Sequence, residues 1–427
     1  MIKSPRRNRE LKLLAGALLL AGAALAATQV SAPRLGATVI IAAALIYTLL
    51  YLASHLALRV FAPHADPLLL PLAALLTGLS LTMIYRLDLT LAWRQLAWVA
   101  VGNIILIVLV ARFKNYRSLA NYKYLLGLTG LVLLFSTIRF GAGFLEPNLW
   151  WNLGPFSFQP SEIAKILIVI FFAAYLSEKR ELLSVFTRKI GRVSVPDPKH
   201  LGPMLLFWLV SLGLLVIQKD IGASLLFFGL FLVMLYVATN RGLYVAIGSV
   251  LFVGGATFAA RAFSHVATRI QIWLNPWSDP AGKSYQLVQS LFALGSGGIW
   301  GAGLGRGYPT LIPVVTTDFI FSAFGEEIGL VGVIAVITIY LAFVGRGLNI
   351  ANKTADDFGK LLAVGLTAVF AIQTFVIIGG VTRLVPLTGI TLPFLSYGGS
   401  SILSNFILLG LLLKVSNQSI EEASEIK

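Results

Sequence analysis

Apolar runs of about twenty residues recur along this chain from Leu11 to Leu413, separated mostly by short polar gaps. A helix that crosses a bilayer needs about 20 mostly apolar residues. Twelve segments qualify, at roughly 11–31, 36–60, 67–85, 91–111, 122–141, 161–177, 203–218, 221–239, 242–260, 316–345, 359–381 and 390–414. Composition agrees: the 427 residues are 57% hydrophobic and 12% charged, where a soluble domain carries about 25% charged residues. The expected fold is an all-α polytopic membrane protein with about twelve transmembrane helices and no large soluble domain. The pair at 203–239 is interrupted by Gln218, Lys219 and Asp220, and 316–345 begins polar, which places its first turns at the edge of the hydrocarbon. The first segment has the basic start and alanines of a signal peptide, but its run, Leu11 to Ala27, exceeds a typical signal core of about 7–15 residues. A retained helix is the better reading.

Orientation follows from lysine and arginine, which accumulate on the cytoplasmic side. With Met1–Lys12 inside, the inner segments and termini carry 22 of the 33 Lys and Arg. Both termini are then cytoplasmic. The polar segments 139–160, 261–315 and 382–389 face outward, the longest lying between the ninth and tenth helices. The net charge of +15 is therefore topological, and nucleic acid is not expected as a partner. Cysteine is absent, which excludes disulfides and thiolate metal sites. His55, His64, His200 and His265 offer no metal-binding spacing. No internal repeat is evident.

An ionisable group at membrane depth is costly, so it is paired or lines a wet cavity. Eight acids lie outward or within segments: Asp88, Glu146, Glu162, Asp220, Asp279, Asp318, Glu326 and Glu327. In QPSEIAK (159–165), Pro160 suits a first helical turn, and Glu162 and Lys165 are i,i+3 neighbours. They form an internal salt bridge, a charged wall of a substrate cavity, or both. Asp220 in QKDIGAS stands where a carboxylate caps a helix. Asp318 in TTDFIFSAFGEEIG (316–329) is another candidate cap, and the adjacent Glu326 and Glu327 are not expected to share one face. The glycine-rich GSGGIWGAGLGRG (295–307) satisfies neither dinucleotide nor P-loop spacing and reads as a flexible or closely packed re-entrant loop. LTGITLPFLSYGGSS (387–401) breaks into a helix through Pro393 and offers Ser396, Tyr397, Ser400 and Ser401 as donors to a polar ligand. NPWSDPAGKSYQ (275–286) holds Asp279 in a loop between two prolines. Unaided, these residues fit a transporter or a lipid-linked transferase.

In this order, FSFQPSEIAK, QKDIGAS, NPWSDPAGKSYQLVQSLFALGSGGIWGAGLG, TTDFIFSAFGEEIGLVG and PLTGITLPFLSYGGSS closely resemble the SEDS family of cell-wall proteins (RodA, FtsW, SpoVE). The resemblance covers roughly residues 67–415. Family members have ten spanning helices, so residues 1–65 look like a two-helix extension, 66–415 like the core, and 416–427 like a cytoplasmic tail. The extension and YRLDLTLAWRQ resemble RodA-like elongation members, whereas NPWSDP with YQLVQSL also suits FtsW-like division members. Val314, Val315 and Thr316 stand before TDFIF where many relatives carry glutamate and histidine.

The resemblance implies a peptidoglycan glycosyltransferase of the bacterial cytoplasmic membrane. Such enzymes polymerise lipid II, the undecaprenyl-pyrophosphate-linked disaccharide-pentapeptide, beside a class B penicillin-binding protein. It implies Asp279 as the essential acid, either the base of an inverting transfer or the ligand of a divalent cation such as Mg²⁺; no cofactor is otherwise implied. Substrate contacts are expected from Glu162, Lys165, Arg269 and Lys283, from Tyr285, Gln286 and Gln289, from Asp318 and Glu326, and from Ser396, Tyr397 and Ser400. Other outer cations are Arg261 and Arg306. A lipid II flippase and a non-catalytic scaffold for the penicillin-binding protein are the alternative functions.

Overall fold

The computed structural model describes residues 5–140, 149–153, 156–184, 188–190, 193–195 and 198–425. The apolar runs are helices: α1 (Pro5–Ser31), α2 (Ala37–Phe61), α3 (Leu69–Leu87), α4 (Leu89–Arg112), the single turn α5 (Ser118–Asn121), α6 (Lys123–Phe140), α7 (Pro160–Ser184) and α8 (Pro198–Ile217). They continue as α9 (Ile221–Thr239), α10 (Gly242–Ala262), α11 (Ser264–Leu274), α12 (Tyr285–Gly297), α13 (Ile320–Lys353), α14 (Asp357–Val381) and α15 (Gly399–Glu425). Two short antiparallel hairpins pair β1 (Trp151–Leu153) with β2 (Phe156–Phe158) and β3 (Arg188–Ile190) with β4 (Val193–Val195).

Among the described residues, ten helices are long and apolar enough to cross a membrane. The chain is a multi-span membrane protein. Two of the twelve expected spans, 122–141 and 203–218, appear as the shorter apolar stretches Lys123–Ile138 and Gly202–Ile217. The last expected span also needs correction. Its first residues, 390–398, are not helical, and α15 begins only at Gly399. Leu392, Phe394 and Leu395 are buried there, so the apolar signal comes from an irregular core segment. Helix α13 likewise starts at Ile320 rather than 316, after a polar turn. Glu146 lies outside the described residues.

Helix ends follow local chemistry. Asp88 accepts from Leu91 N at 3.0 Å and caps α4. Asp220 accepts from Ala223 N at 2.8 Å and caps α9, satisfying an otherwise unpaired N–H. Pro160 opens α7.

The chain divides into two compact units. The first comprises residues Met1–Lys114, Thr268–Arg346 and Gln373–Lys427. Its buried core is α3 and α15, and α4 crosses α15 where Gly102 admits the Phe406 ring. The N-terminal helices pack on this core, α1 on α3 and α2 on α4. Several polar groups between these helices pair with one another, as interhelical contacts in lipid favour. Thr77 bonds Tyr51 at 2.7 Å and Tyr47 at 2.9 Å, and Ser54 donates to Asn103 at 2.7 Å. Buried Arg7 and Glu10 pair with one another, Glu10 meets His55 Nδ1 at 2.6 Å, and Arg346 bonds Asp66 at 2.9 Å.

The second unit comprises Asn115–Ala267 and Gly347–Ile372. There α7 packs against α6, α8 and α9 around rings of Phe171 and Phe207, 4.2 Å apart, and of Trp208 and Phe231, 4.5 Å apart.

Candidate active site

Within the first unit, a single 3-10 turn at Pro276–Ser278 delivers the chain to Asp279. The Asp279 Oδ2 accepts from Lys283 N at 2.9 Å. Its backbone carbonyl accepts from Gly282 N at 3.3 Å and Ser284 N at 3.2 Å. Side chain and backbone thus close one turn that starts α12. A side chain at position 282 would overlap the Asp279 carboxylate, which accounts for Gly282. The Asp279 side chain is exposed, and its Oδ1 has no hydrogen-bond partner among the described residues. The turn-forming role and an outward carboxylate therefore coexist in one residue.

Lys283 is exposed, while Tyr285, Gln286 and Gln289 are half-buried on neighbouring faces of the first turns of α12. The opposite side of the helix is anchored. Ser290 lies 2.7 Å from Ser322 on α13 and donates to the Val381 carbonyl at 3.0 Å.

A second cluster gathers around Gly389, whose φ is +77°. A Cβ there would lie 3.5 Å from Asp318 Oδ2 and 3.7 Å from Arg269 Nη2. Arg269 donates to the Leu387 carbonyl at 2.8 Å, so Arg269 and Asp318 converge on the 387–389 turn. Burial pushes the Asp318 carboxyl up from its ordinary value of 3.8, against the opposing effects of Thr317 and Arg269. The native state thus binds this proton more tightly than the unfolded chain. The stabilisation is fully present below about pH 3.8 and is lost as pH rises through the raised value. Asp318→Asn removes that loss. Wild type and variant should melt alike in acid, with the variant more stable above the window; pH-dependent thermal unfolding in detergent checks this, and a less stable variant at neutral pH contradicts it.

The serine-rich segment is bound inward rather than offered to solvent. Ser396 is buried, donates to the Thr317 carbonyl and accepts from Leu392 N at 2.9 Å. Its hydroxyl proton is therefore committed to the protein, contrary to the expected donor role. Tyr397 N donates to Thr316 O at 2.8 Å, which ties this segment to the turn holding Asp318. Ser400 is buried, whereas the Tyr397 side chain is half-buried. Arg383, not singled out from the sequence, donates to the carbonyls of Trp273 and Leu274 at 2.9 and 2.7 Å. Its only signal was a basic residue in a short outward gap.

The glycine-rich stretch is closely packed. Helix α13 breaks at Gly329, with φ 64° and ψ −169°. The freed N–H groups of Leu330 and Val331 donate to Gly298 O and Ile299 O at 2.9 and 3.2 Å. In return, Ala302 N and Gly303 N donate to the carbonyls of Glu326 and Glu327, each at 2.9 Å. The loop and the broken helix thus exchange four backbone bonds. Both adjacent glutamates also grip the same loop, because it offers N–H groups three residues apart, at Gly305 and Tyr308, to two neighbouring helix faces; the expectation that they would not serve one site is corrected. Glu326 Oε1 accepts from Tyr308 N at 2.7 Å, and Glu327 Oε2 accepts from Gly305 N at 2.8 Å. Arg86 completes the clamp, 3.3 Å from Glu327 and donating to Gly307 O at 2.9 Å. The sequence pattern gave no pairing signal for Arg86.

In the second unit, Lys165 Nζ and Glu162 Oε2 form a buried pair 2.6 Å apart. Lys165→Ala strands a buried carboxylate and should cost about 3–5 kcal/mol. The double variant Glu162→Gln, Lys165→Met should recover most of that loss in thermal unfolding; an equally unstable double variant contradicts a simple charge-pairing role.

Among the described residues, no three His, Asp or Glu side chains gather at metal-binding distance. The family model for FtsW, RodA and SpoVE, described as cell cycle protein, matches residues 65–421. The chain is 46% identical over 425 residues to "Peptidoglycan glycosyltransferase RodA" of Mycobacterium bovis, covering 96% of this chain and 91% of that protein. A solved structure described as "Structural coordination of polymerization and crosslinking by a peptidoglycan synthase complex" matches with a TM-score of 0.68 and 27% identity, over 83% of this chain and 98% of the other. The crystal structure of the rod shape determining protein RodA of Thermus thermophilus matches with a TM-score of 0.57 and 25% identity, over 82% of this chain and 96% of the other.

Proposed function

Because the chain belongs to the FtsW/RodA/SpoVE family of cell cycle proteins, we propose that it is a peptidoglycan glycosyltransferase that polymerises lipid II, with Asp279 as the base. The observation that carries this reading is the Asp279 turn. One carboxylate oxygen is held by Lys283 N, and the other is open in an exposed loop.

A sugar 4-hydroxyl attacks the anomeric carbon that bears the α-linked pyrophosphate. Its proton passes to Asp279 while the bond to pyrophosphate breaks and the electron pair leaves with the phosphate oxygen. The new β-1,4 bond inverts the centre, as in a one-step displacement with a carboxylate base. The leaving pyrophosphate is a weak base, so it needs positive charge more than a proton. Lys283 places such a charge four residues from Asp279. In place of acting as the base, Asp279 would hold a divalent cation, which would supply positive charge that positions the sugar.

The proposed topology is N-in and C-in, in the bacterial cytoplasmic membrane, with the Asp279 loop outside. The proposed organisation is a 1–65 extension, a 66–415 core and a 416–427 tail. The RodA match covers 96% of the chain and so takes in most of the extension, which supports a role in elongation. A class B penicillin-binding protein is the proposed partner. Arg269, Asp318 and the exposed face of α12 supply sugar and phosphate contacts. If Glu162 and Lys165 also meet substrate, their stable double variant loses polymerisation.

Liposomes with lipid II inside separate this reading from a flippase. Strands should form, in dependence on Asp279, only where lipid II is added to the leaflet that faces the Asp279 loop, and lipid II confined to the opposite leaflet should give none. Lipid II movement without polymer, at equal rates in wild type and Asp279→Asn, contradicts it.

A further inference from the structure

The outer end of α1 lies before the family match, which begins at residue 65, yet it touches the glycine loop directly. Ser31 donates to the Leu304 carbonyl, and a side chain at position 305 would collide with Ser31. Between these elements runs a crevice of about 490 Å³. Ala26, Ala27 and Val30 form one wall, and Leu304 and Arg306 the other. The walls are small and apolar, and Val30 is 85% exposed. Arg306 is exposed at the lip with its stem lying over Gly303, 3.3 Å from where a Cβ would stand. Its guanidinium donates no hydrogen bond to the described residues. An open apolar crevice with the Arg306 fork of donors at its lip matches a hydrocarbon chain ending in a phosphate.

We propose that this crevice seats the polyprenyl pyrophosphate of the attacking substrate, with Arg306 on the phosphate and the chain lying along α1. The inference rests on the polymerase reading, which brings two lipid-linked pyrophosphates to the enzyme. The leaving pyrophosphate must lie at the reacting carbon. The pyrophosphate of the attacking molecule lies a disaccharide away from its own 4-hydroxyl. The 13 residues of α12 span roughly 20 Å at 1.5 Å per residue, with the Asp279 turn at one end and the glycine loop at the other. The glycine loop, and with it the crevice, follows the end of α12 remote from the Asp279 turn, so the anion it holds is not the leaving one. The clamp of Arg86, Glu326 and Glu327 keeps that loop fixed.

The test uses full-length protein in detergent and a polyprenyl pyrophosphate carrying a photoreactive group on its chain. Crosslinks should map to residues 26–31 and 303–306. Arg306→Gln and Ala27→Trp should each lower that yield at least tenfold, Arg306→Lys less, and Asp279→Asn not at all. In polymerisation, Arg306→Gln should raise the KM for lipid II at least fivefold with kcat within twofold. Equal crosslinking in wild type, Arg306→Gln and Ala27→Trp overturns the seat. So does full protection by equimolar phosphatidylglycerol, which marks a general lipid contact. Crosslinking that follows this pattern in a wild type that makes no glycan supports the seat and overturns the polymerase reading instead.

Discussion

Asp279→Asn should lower glycan polymerisation by at least a hundredfold while leaving the fold intact. Asparagine keeps an oxygen that can accept from Lys283 N, so the turn into α12 survives. What it loses is the negative charge and the basicity of the outward oxygen. General base catalysis contributes about 10²–10⁴-fold, which sets the expected scale. Asp279→Ala is the less informative variant, because it also removes the hydrogen bond at Lys283 N, worth roughly 1 kcal/mol. Matched thermal unfolding of wild type and Asp279→Asn, with initial rates on lipid II, reads both effects. Activity within a few-fold of wild type in Asp279→Asn reduces Asp279 to a turn former.

The second large effect is expected at Gly329. Its φ of 64° with ψ of −169° falls in a region essentially reserved for glycine, where strain of about 1–3 kcal/mol arises for other residues. A Cβ there would meet Gly301 N and the Ile299 carbonyl. The loop must then leave the break in α13, and four exchanged backbone bonds go with it, at roughly 0.5–1.5 kcal/mol each. Gly329→Ala should therefore be destabilised by several kcal/mol and accumulate poorly. Gly345→Ala is the control. It lies in the same helix with nothing within 4 Å of the added carbon, so it should be neutral or stabilising by roughly 0.5–1 kcal/mol. Equal thermal stability of the two variants contradicts the interlocked loop.

These two residues also show what was legible in the sequence. Length and hydropathy suffice for the spanning helices, because lipid leaves few other folds for a twenty-residue apolar run. They misplace the start of α15, since Leu392, Phe394 and Leu395 are buried without being helical, and a short apolar run does not tell the two apart. Asp88 caps α4 without having been read as a cap; Asp220 caps α9 by the same chemistry and was readable because capping is local. The convergence of Glu326 and Glu327 was not. That inference considered the helix alone, and the loop that reaches both side chains comes about twenty residues earlier in the chain. Arg86, Ser290 and Arg383 act through partners distant in sequence, which no spacing rule reveals. For Asp279 the residues alone indicated a constrained turn. Its chemical role came from resemblance, and the structure contributes an outward oxygen on a fixed turn.

The measurement that tests the central claim most directly is the reaction itself. Purified protein with its class B penicillin-binding partner is given lipid II and Mg²⁺, and the products are sized and digested with a β-1,4-specific muramidase. The expected result is long strands that the muramidase degrades, formed by wild type and at most a hundredth as fast by Asp279→Asn. No strands from wild type under these conditions, or strands formed equally by both proteins, contradict the account.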